Sequence, residues 1–164
     1  MGKILTYAVV ALMLAAIAAG CASEGCTDNQ TCIPRAGFYS YPSGNKITID
    51  SIQLGGVGAP NDSLLITRSG SQTRLPLRAN RPSASFFVRY TARHLAEIGL
   101  VDTITVDYET IPYFTNEDCG PMYRYAIRTV THTREVIDSI AVVDSVITNL
   151  DVEQIKIFFR TSQD

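Results

Sequence analysis

VDTITVDYETI, residues Val101–Ile111, alternates more cleanly than any other stretch of the chain. Ile104, Val106 and Tyr108 fall on one side of it, and Thr103, Thr105 and Asp107 on the other. That period of two belongs to a strand with one face in a core and the other in water. The same signature repeats outward in both directions. Upstream, SASFFVRYTA (83–92) gathers Phe86, Val88 and Tyr90 on one face. Downstream, MYRYAIRTVTH (122–132) turns Tyr123, Tyr125 and Ile127 inward and Arg124 and Arg128 outward. EQIKIFFR (153–160) lines up Ile155, Ile157 and Phe159.

Shorter β-rich runs fill the intervals: AGFYSY (36–41), KITIDSIQL (46–54), SLLITR (63–68), TRLPLR (73–78) and VIDSIAVVDSVI (136–147). Within KITIDSIQL the apolar phase changes from Ile47 and Ile49 to Ile52 and Leu54, as at a bulge or in a strand buried on both faces. Gly, Pro, Asn and Asp separate the runs, as in Pro42-Ser43-Gly44-Asn45 and GGVGAPND (55–62). One helical turn is expected in RHLAEIG (93–99), closed by Gly99 as a C-cap. About eight or nine strands at this spacing predict an all-β fold, a single antiparallel β-sandwich of immunoglobulin-like type over residues 34–164. A barrel is the alternative closure.

The first residues read differently. Lys3 precedes an uninterrupted apolar or small-residue run from Tyr7 to Gly20. A membrane helix needs about 20 apolar residues, and this run is shorter. Its layout is that of a secretory signal, with a retained anchor helix as the alternative. Ala18-Ala19-Gly20-Cys21 resembles the lipobox of bacterial lipoproteins, with Ala18 where leucine is usual. The resemblance implies a lipoprotein signal peptide over residues 1–20, acyl chains on Cys21 and a lipidated tether over residues 21–33. More than one chain gives stable anchoring. The expected location is the cell envelope, lipid-anchored in the outer membrane and facing the periplasm, with surface exposure as the variant.

Composition excludes other classes. The chain has 14 basic and 16 acidic residues and a net charge of −2, with no basic block or stripe to bind nucleic acid. Beyond Cys21 the chain has Cys26, Cys32 and Cys119. In an oxidising compartment these make one disulfide and one leftover thiol, with Cys26 or Cys32 joined to Cys119. Cys-x5-Cys without a neighbouring histidine lacks zinc spacing. No cofactor or metal is expected.

Catalytic motifs are missing from the sequence. GGVGAPND has no lysine for a phosphate loop, and no Gly-x-Ser-x-Gly elbow presents a serine. His94 and His132 have no spaced second ligand, and Glu109, Glu117 and Asp118 form no marked acid–base pair. Phe38, Tyr39, Tyr41, Tyr113 and Phe114 are expected in the core more than on a stacking surface.

One pattern rises above background. Asp50-Ser51-Ile52, Asp62-Ser63-Leu64, Asp102-Thr103-Ile104, Asp138-Ser139-Ile140 and Asp144-Ser145-Val146 share Asp, then Ser or Thr, then an aliphatic residue. Random placement would give about one such triplet. The pattern is similar to the O-glycosylation sequon that Bacteroides-type bacteria use on exported proteins. This makes Ser63, Ser51, Thr103, Ser139 and Ser145 the candidate acceptors, Ser63 foremost because it follows a Gly/Pro loop. The competing reading is that Asp-Ser simply hands turns over to strands.

CTDNQTCIPRAGFYS (26–40), GVGAPNDS (56–63), LPLR (75–78), NEDCGPMYRY (116–125), IDSI (137–140) and IKIFFR (155–160) together resemble an uncharacterised family of Bacteroides-type lipoproteins with a domain of unknown function. In that family the first mature cysteine and the Cys-Gly cysteine recur, which implies a Cys26–Cys119 disulfide and leaves Cys32 extra. The family has no established activity, so it implies no catalytic residue. The expected function is a non-catalytic binding or scaffolding domain, held to the membrane through the lipid on Cys21. Its partner would be an envelope protein or glycan, not nucleic acid. An envelope hydrolase or glycan-processing enzyme with a dispersed site is the alternative. An accessory subunit of a larger assembly is a third reading.

Overall fold

The structure, a computed structural model, describes residues 32–60, 63–114 and 119–161. In chain order its elements are β1 (Arg35–Ser40), β2 (Ile49–Asp50), β3 (Ile52–Gly56), β4 (Leu64–Ile66), β5 (Ser69–Gly70), β6 (Gln72–Arg74) and β7 (Ser83–Tyr90). There follow α1 (Arg93–Ala96), β8 (Val101–Phe114), β9 (Pro121–His132), β10 (Ile137–Val142), β11 (Val146–Ile147) and β12 (Glu153–Phe159). The fold is all-β and sandwich-like. The single helical turn ends where expected: Gly99, at φ +71°, donates its N–H to the Leu95 carbonyl at 3.1 Å.

The strands number twelve among the described residues, more than expected, because two apolar runs are broken and β5 forms between two of the expected runs. Ser51, at φ 59°, divides the 46–54 run. β2 pairs with β5 in a small ribbon, while β3 joins a large sheet. The phase change in the sequence marks this break. The 136–147 run is divided in the same way into β10 and β11, which belong to different sheets.

The larger sheet has the order β11-β9-β8-β7-β3-β4 and is antiparallel throughout. The second, β10-β12-β1-β6, is mixed, which corrects the expectation of a purely antiparallel sandwich. β1 runs parallel to β12, with Phe38 opposite Ile157 and Ser40 opposite Phe159. Parallel neighbours need a long crossover, and here the crossover is most of the domain. Alternation within a strand reports burial but not the direction of its neighbour. Sheets of six and four strands also depart from the four-plus-three arrangement of an immunoglobulin constant domain.

The inner faces meet in one core. Phe38, Ile52, Leu54, Val88, Ile104, Val106, Ile155 and Ile157 are fully buried, and Phe38 meets Phe159 edge-to-face at 5.3 Å. The inward residues expected on β7, β8 and β12 are all buried. β9 differs at its start: Met122 is buried and Tyr123 is 43% exposed. There β9 pairs with the far end of β8, where Ile111 and Phe114 are also exposed. The paired strands run on past the core, so the core no longer dictates which side is apolar.

Candidate functional site

A wide cleft lies at one end of the sandwich, between the loop after β3, the segment before β7 and the first half of β7. It encloses about 580 Å³, inside the range of small-ligand sites. Val57, Gly58, Pro76, Arg78, Arg81 and Pro82 line most of its mouth. Prolines at 76 and 82 keep the second wall out of regular pairing, and hydrogen bonds from the core hold it instead. The buried Tyr108 hydroxyl accepts the Arg78 N–H at 2.9 Å and donates to the Arg78 carbonyl at 3.0 Å. Arg81 N–H bonds the same carbonyl at 3.1 Å, and Tyr108 N–H bonds the Pro82 carbonyl at 2.8 Å. The first wall turns at Gly58, φ +69°, a conformation that favours glycine. It is fastened to β7 by Val57 N–H to Ser85 O at 2.8 Å. Both arginines are therefore exposed on a backbone that is already fixed.

Among the described residues, the polar side chains lining this cleft are arginines and serines, with no carboxylate, histidine or cysteine. Such a wall can hold and orient an anion; acid–base chemistry would need other groups.

The candidate residues from the sequence are scattered. Ser63 and Ser145 are exposed; Ser51, Thr103 and Ser139 are half-buried. Most of their aspartates have structural work. Asp50 accepts the Ser69 hydroxyl at 2.7 Å, Asp144 accepts the Val146 N–H at 2.9 Å, and Asp138 accepts Arg160 Nε at 3.3 Å. Asp62 lies outside the described residues, as do Cys21, Cys26, Glu117 and Asp118. Cys32 is buried with a free thiol, its pKa pushed up by burial. Cys119 is buried and disulfide-bonded, and its partner falls outside the described residues.

Glu109 pairs with Arg128 on the outer sheet face. His94 is exposed on α1, and His132 places Nδ1 2.6 Å from the Thr133 carbonyl oxygen. Of the aromatic group, Phe38 is core, Tyr41 and Phe114 are exposed, and Tyr113 lies 3.6 Å beneath the Arg124 guanidinium. Among the described residues no three His, Cys, Asp or Glu side chains are grouped to hold a metal. No described helix is long and apolar enough to cross a membrane.

Two carboxylates stand out that sequence reasoning missed. Asp102 is fully buried. It accepts hydrogen bonds from the Tyr90 hydroxyl (2.8 Å), the Thr133 hydroxyl (2.6 Å) and the N–H groups of Glu135, Val136 and Ile137 (each 2.9 Å). Burial alone would raise its pKa, but the Thr133 and backbone donors outweigh it and hold the carboxyl below its usual value. Burial and the adjacent Asp102 charge push the Tyr90 phenol far up. The available signal was phase, since Asp102 falls in step with Ile104, Val106 and Tyr108.

Glu153 is the second. It accepts the Tyr39 hydroxyl at 2.6 Å and Lys46 Nζ at 3.2 Å, and its pKa is lowered by those partners against the pull of burial. Gly37 makes room for it, because a Cβ there would meet the Glu153 carboxylate.

A β-sandwich-like scaffold with a cationic end cleft is thus the class of molecule the structure defines. Residues 47–159 match DUF6452, a family of unknown function, and the chain belongs to that family. The match begins after the segment that holds Cys21, Cys26 and Cys32. No curated protein matches the chain, and no solved structure does.

Proposed function

We propose that the protein is a lipid-tethered component of the bacterial cell envelope whose domain binds or scaffolds another molecule without transforming it. The observation that carries the binding role is the end cleft, its backbone held by Tyr108 and its described lining made of cationic and neutral groups. The tether rests on the sequence: a basic start, an apolar run and Ala18-Ala19-Gly20-Cys21. Acylation of Cys21 would place the domain at the outer membrane, facing the periplasm.

In that compartment the three cysteines beyond Cys21 divide as the family resemblance implies. Cys26 joins Cys119, and Cys32 stays reduced inside the core. Ser63 and Ser145 are the glycan acceptors of choice, because both are exposed while the other three candidates are half-buried.

Membrane fractionation of Cys21→Ser tests the tether. The variant is expected to leave the membrane fraction almost entirely, and unchanged membrane association would refute anchoring at Cys21. Pull-down of the intact protein from native envelopes, read by mass spectrometry, tests the rest. A specific partner or glycan supports the binding role. A hydrolysed glycan or peptide product would favour the enzymatic alternative.

A further inference from the structure

Most arginines on the strands are already occupied. Arg35 and Arg74 share Asp151, Arg128 meets Glu109, and Arg160 meets Asp138. Arg89 and Arg124 lie over the rings of Phe87 and Tyr113. Arg78 and Arg81 are different: both are exposed, both line one cleft, and no described carboxylate pairs with either. The chain as a whole is mildly acidic, so two cations in one cleft with no carboxylate among its described lining are a local reversal of sign. A concave wall concentrates such a field, and guanidinium groups bind carboxylate and phosphate oxygens through paired N–H donors.

The rest of the wall narrows the choice. Pro76, Pro82 and Val57 give it apolar surface, and Ser83 adds an exposed hydroxyl beside the arginines. The backbone carrying Arg78 is fastened at both its N–H and its carbonyl by the Tyr108 hydroxyl. The main chain beneath the charge is therefore ordered before binding, and only the two arginine side chains are left to order. Its volume of about 580 Å³ fits one or two sugar rings.

We infer that the Arg78–Arg81 cleft is a binding site for a small oxyanion ligand, a phosphate or carboxylate carried on a saccharide-sized molecule. The inference deepens the binding role proposed above and rests on it.

The test is isothermal titration of the full-length chain in mild detergent with glucose 6-phosphate, glucuronate, inorganic phosphate and neutral glucose. The anionic sugars are expected to bind more tightly than glucose by about tenfold or more, and more weakly as salt rises. Preference between the first two identifies phosphate or carboxylate as the group read. Binding of inorganic phosphate alone would mean that the ring is not recognised and would overturn the saccharide part. Arg78→Gln with Arg81→Gln should weaken anion binding about tenfold or more. An unchanged thermal melt is the control, since Tyr108 holds main-chain atoms that the substitutions leave in place.

Equal affinity in the double variant, equal affinity for glucose, or no anionic sugar bound at millimolar concentration would each overturn the site. Turnover of a probe would defeat the non-catalytic reading while leaving the anion preference standing. A specific envelope partner captured with no anion binding would defeat the cleft and leave the scaffolding role standing.

Discussion

Asp102 and Glu153 are both carboxylates with depressed pKa values, yet they are held in opposite ways. Asp102 sits inside the larger sheet and is surrounded by neutral donors, three of them consecutive main-chain N–H groups. Glu153 sits on the outer face of the mixed sheet, with one phenol and one half-exposed lysine. The first ties the connection between β9 and β10 to the start of β8, so it organises chain path. The second braces side chains on a surface that the core has already set. A buried acceptor is expensive to leave and expensive to remove, because each donor it satisfies would be orphaned. An ion pair with one partner in water contributes little either way.

Substitution tests that contrast, and the largest effect belongs to Asp102→Ala. It strands the Tyr90 hydroxyl and the Ile137 N–H in the interior and frees the part-buried Thr133, Glu135 and Val136 donors, and is expected to cost about 3 kcal/mol or more in urea unfolding. A cost below about 1 kcal/mol would show that water replaces the carboxylate and that the two sites are alike.

The same residue sets a pH dependence. Its folded pKa lies below the ordinary 3.8, so its contribution is complete above that value. It is lost as the pH falls from there through the folded pKa. Acid unfolding followed by circular dichroism should show stability falling in that window, and Asp102→Ala should flatten the slope.

Tyr90→Phe removes one donor and leaves Asp102 with four partners. About 1 kcal/mol is expected from the same denaturation. Glu153→Gln is the smallest, about 0.5 kcal/mol, because glutamine still accepts the Tyr39 hydroxyl and only the Lys46 pair is lost. Added salt should shrink the Glu153 effect and leave the Asp102 effect nearly intact. If salt acts on both equally, the buried-versus-surface distinction fails.

How far these features could be read in the sequence depends on what each one needs. Alternation in Val101–Ile111 placed Ile104, Val106 and Tyr108 in the core, because burial is written residue by residue. The phase slip at Ile49–Ile52 announced the break at Ser51. Tyr123 was misplaced because its strand outruns the core, and only tertiary extent shows where a core stops. The parallel partnership of β1 and β12 has no local trace. Asp102 was visible as one member of an Asp-Ser/Thr-aliphatic triplet, but its donors come from Tyr90 and residues 133–137, which only the folded chain brings together. Arg78 ends a run with strand-like composition, and nothing local shows that Tyr108, thirty residues on, holds its main chain at the edge of a cleft shared with Arg81.

The pairing of β1 with β12 also sets a timetable. Arg35–Ser40 is made early and Glu153–Phe159 late, so Phe38 and Ile157 cannot face each other across that junction until both exist. The antiparallel hairpins β7–β8–β9 can zip as they emerge, whereas the mixed sheet must wait for its middle strand. A chain exported residue by residue would therefore hold an open, half-built sandwich until the last strand arrived, and long-range closure of this kind is intrinsically slow.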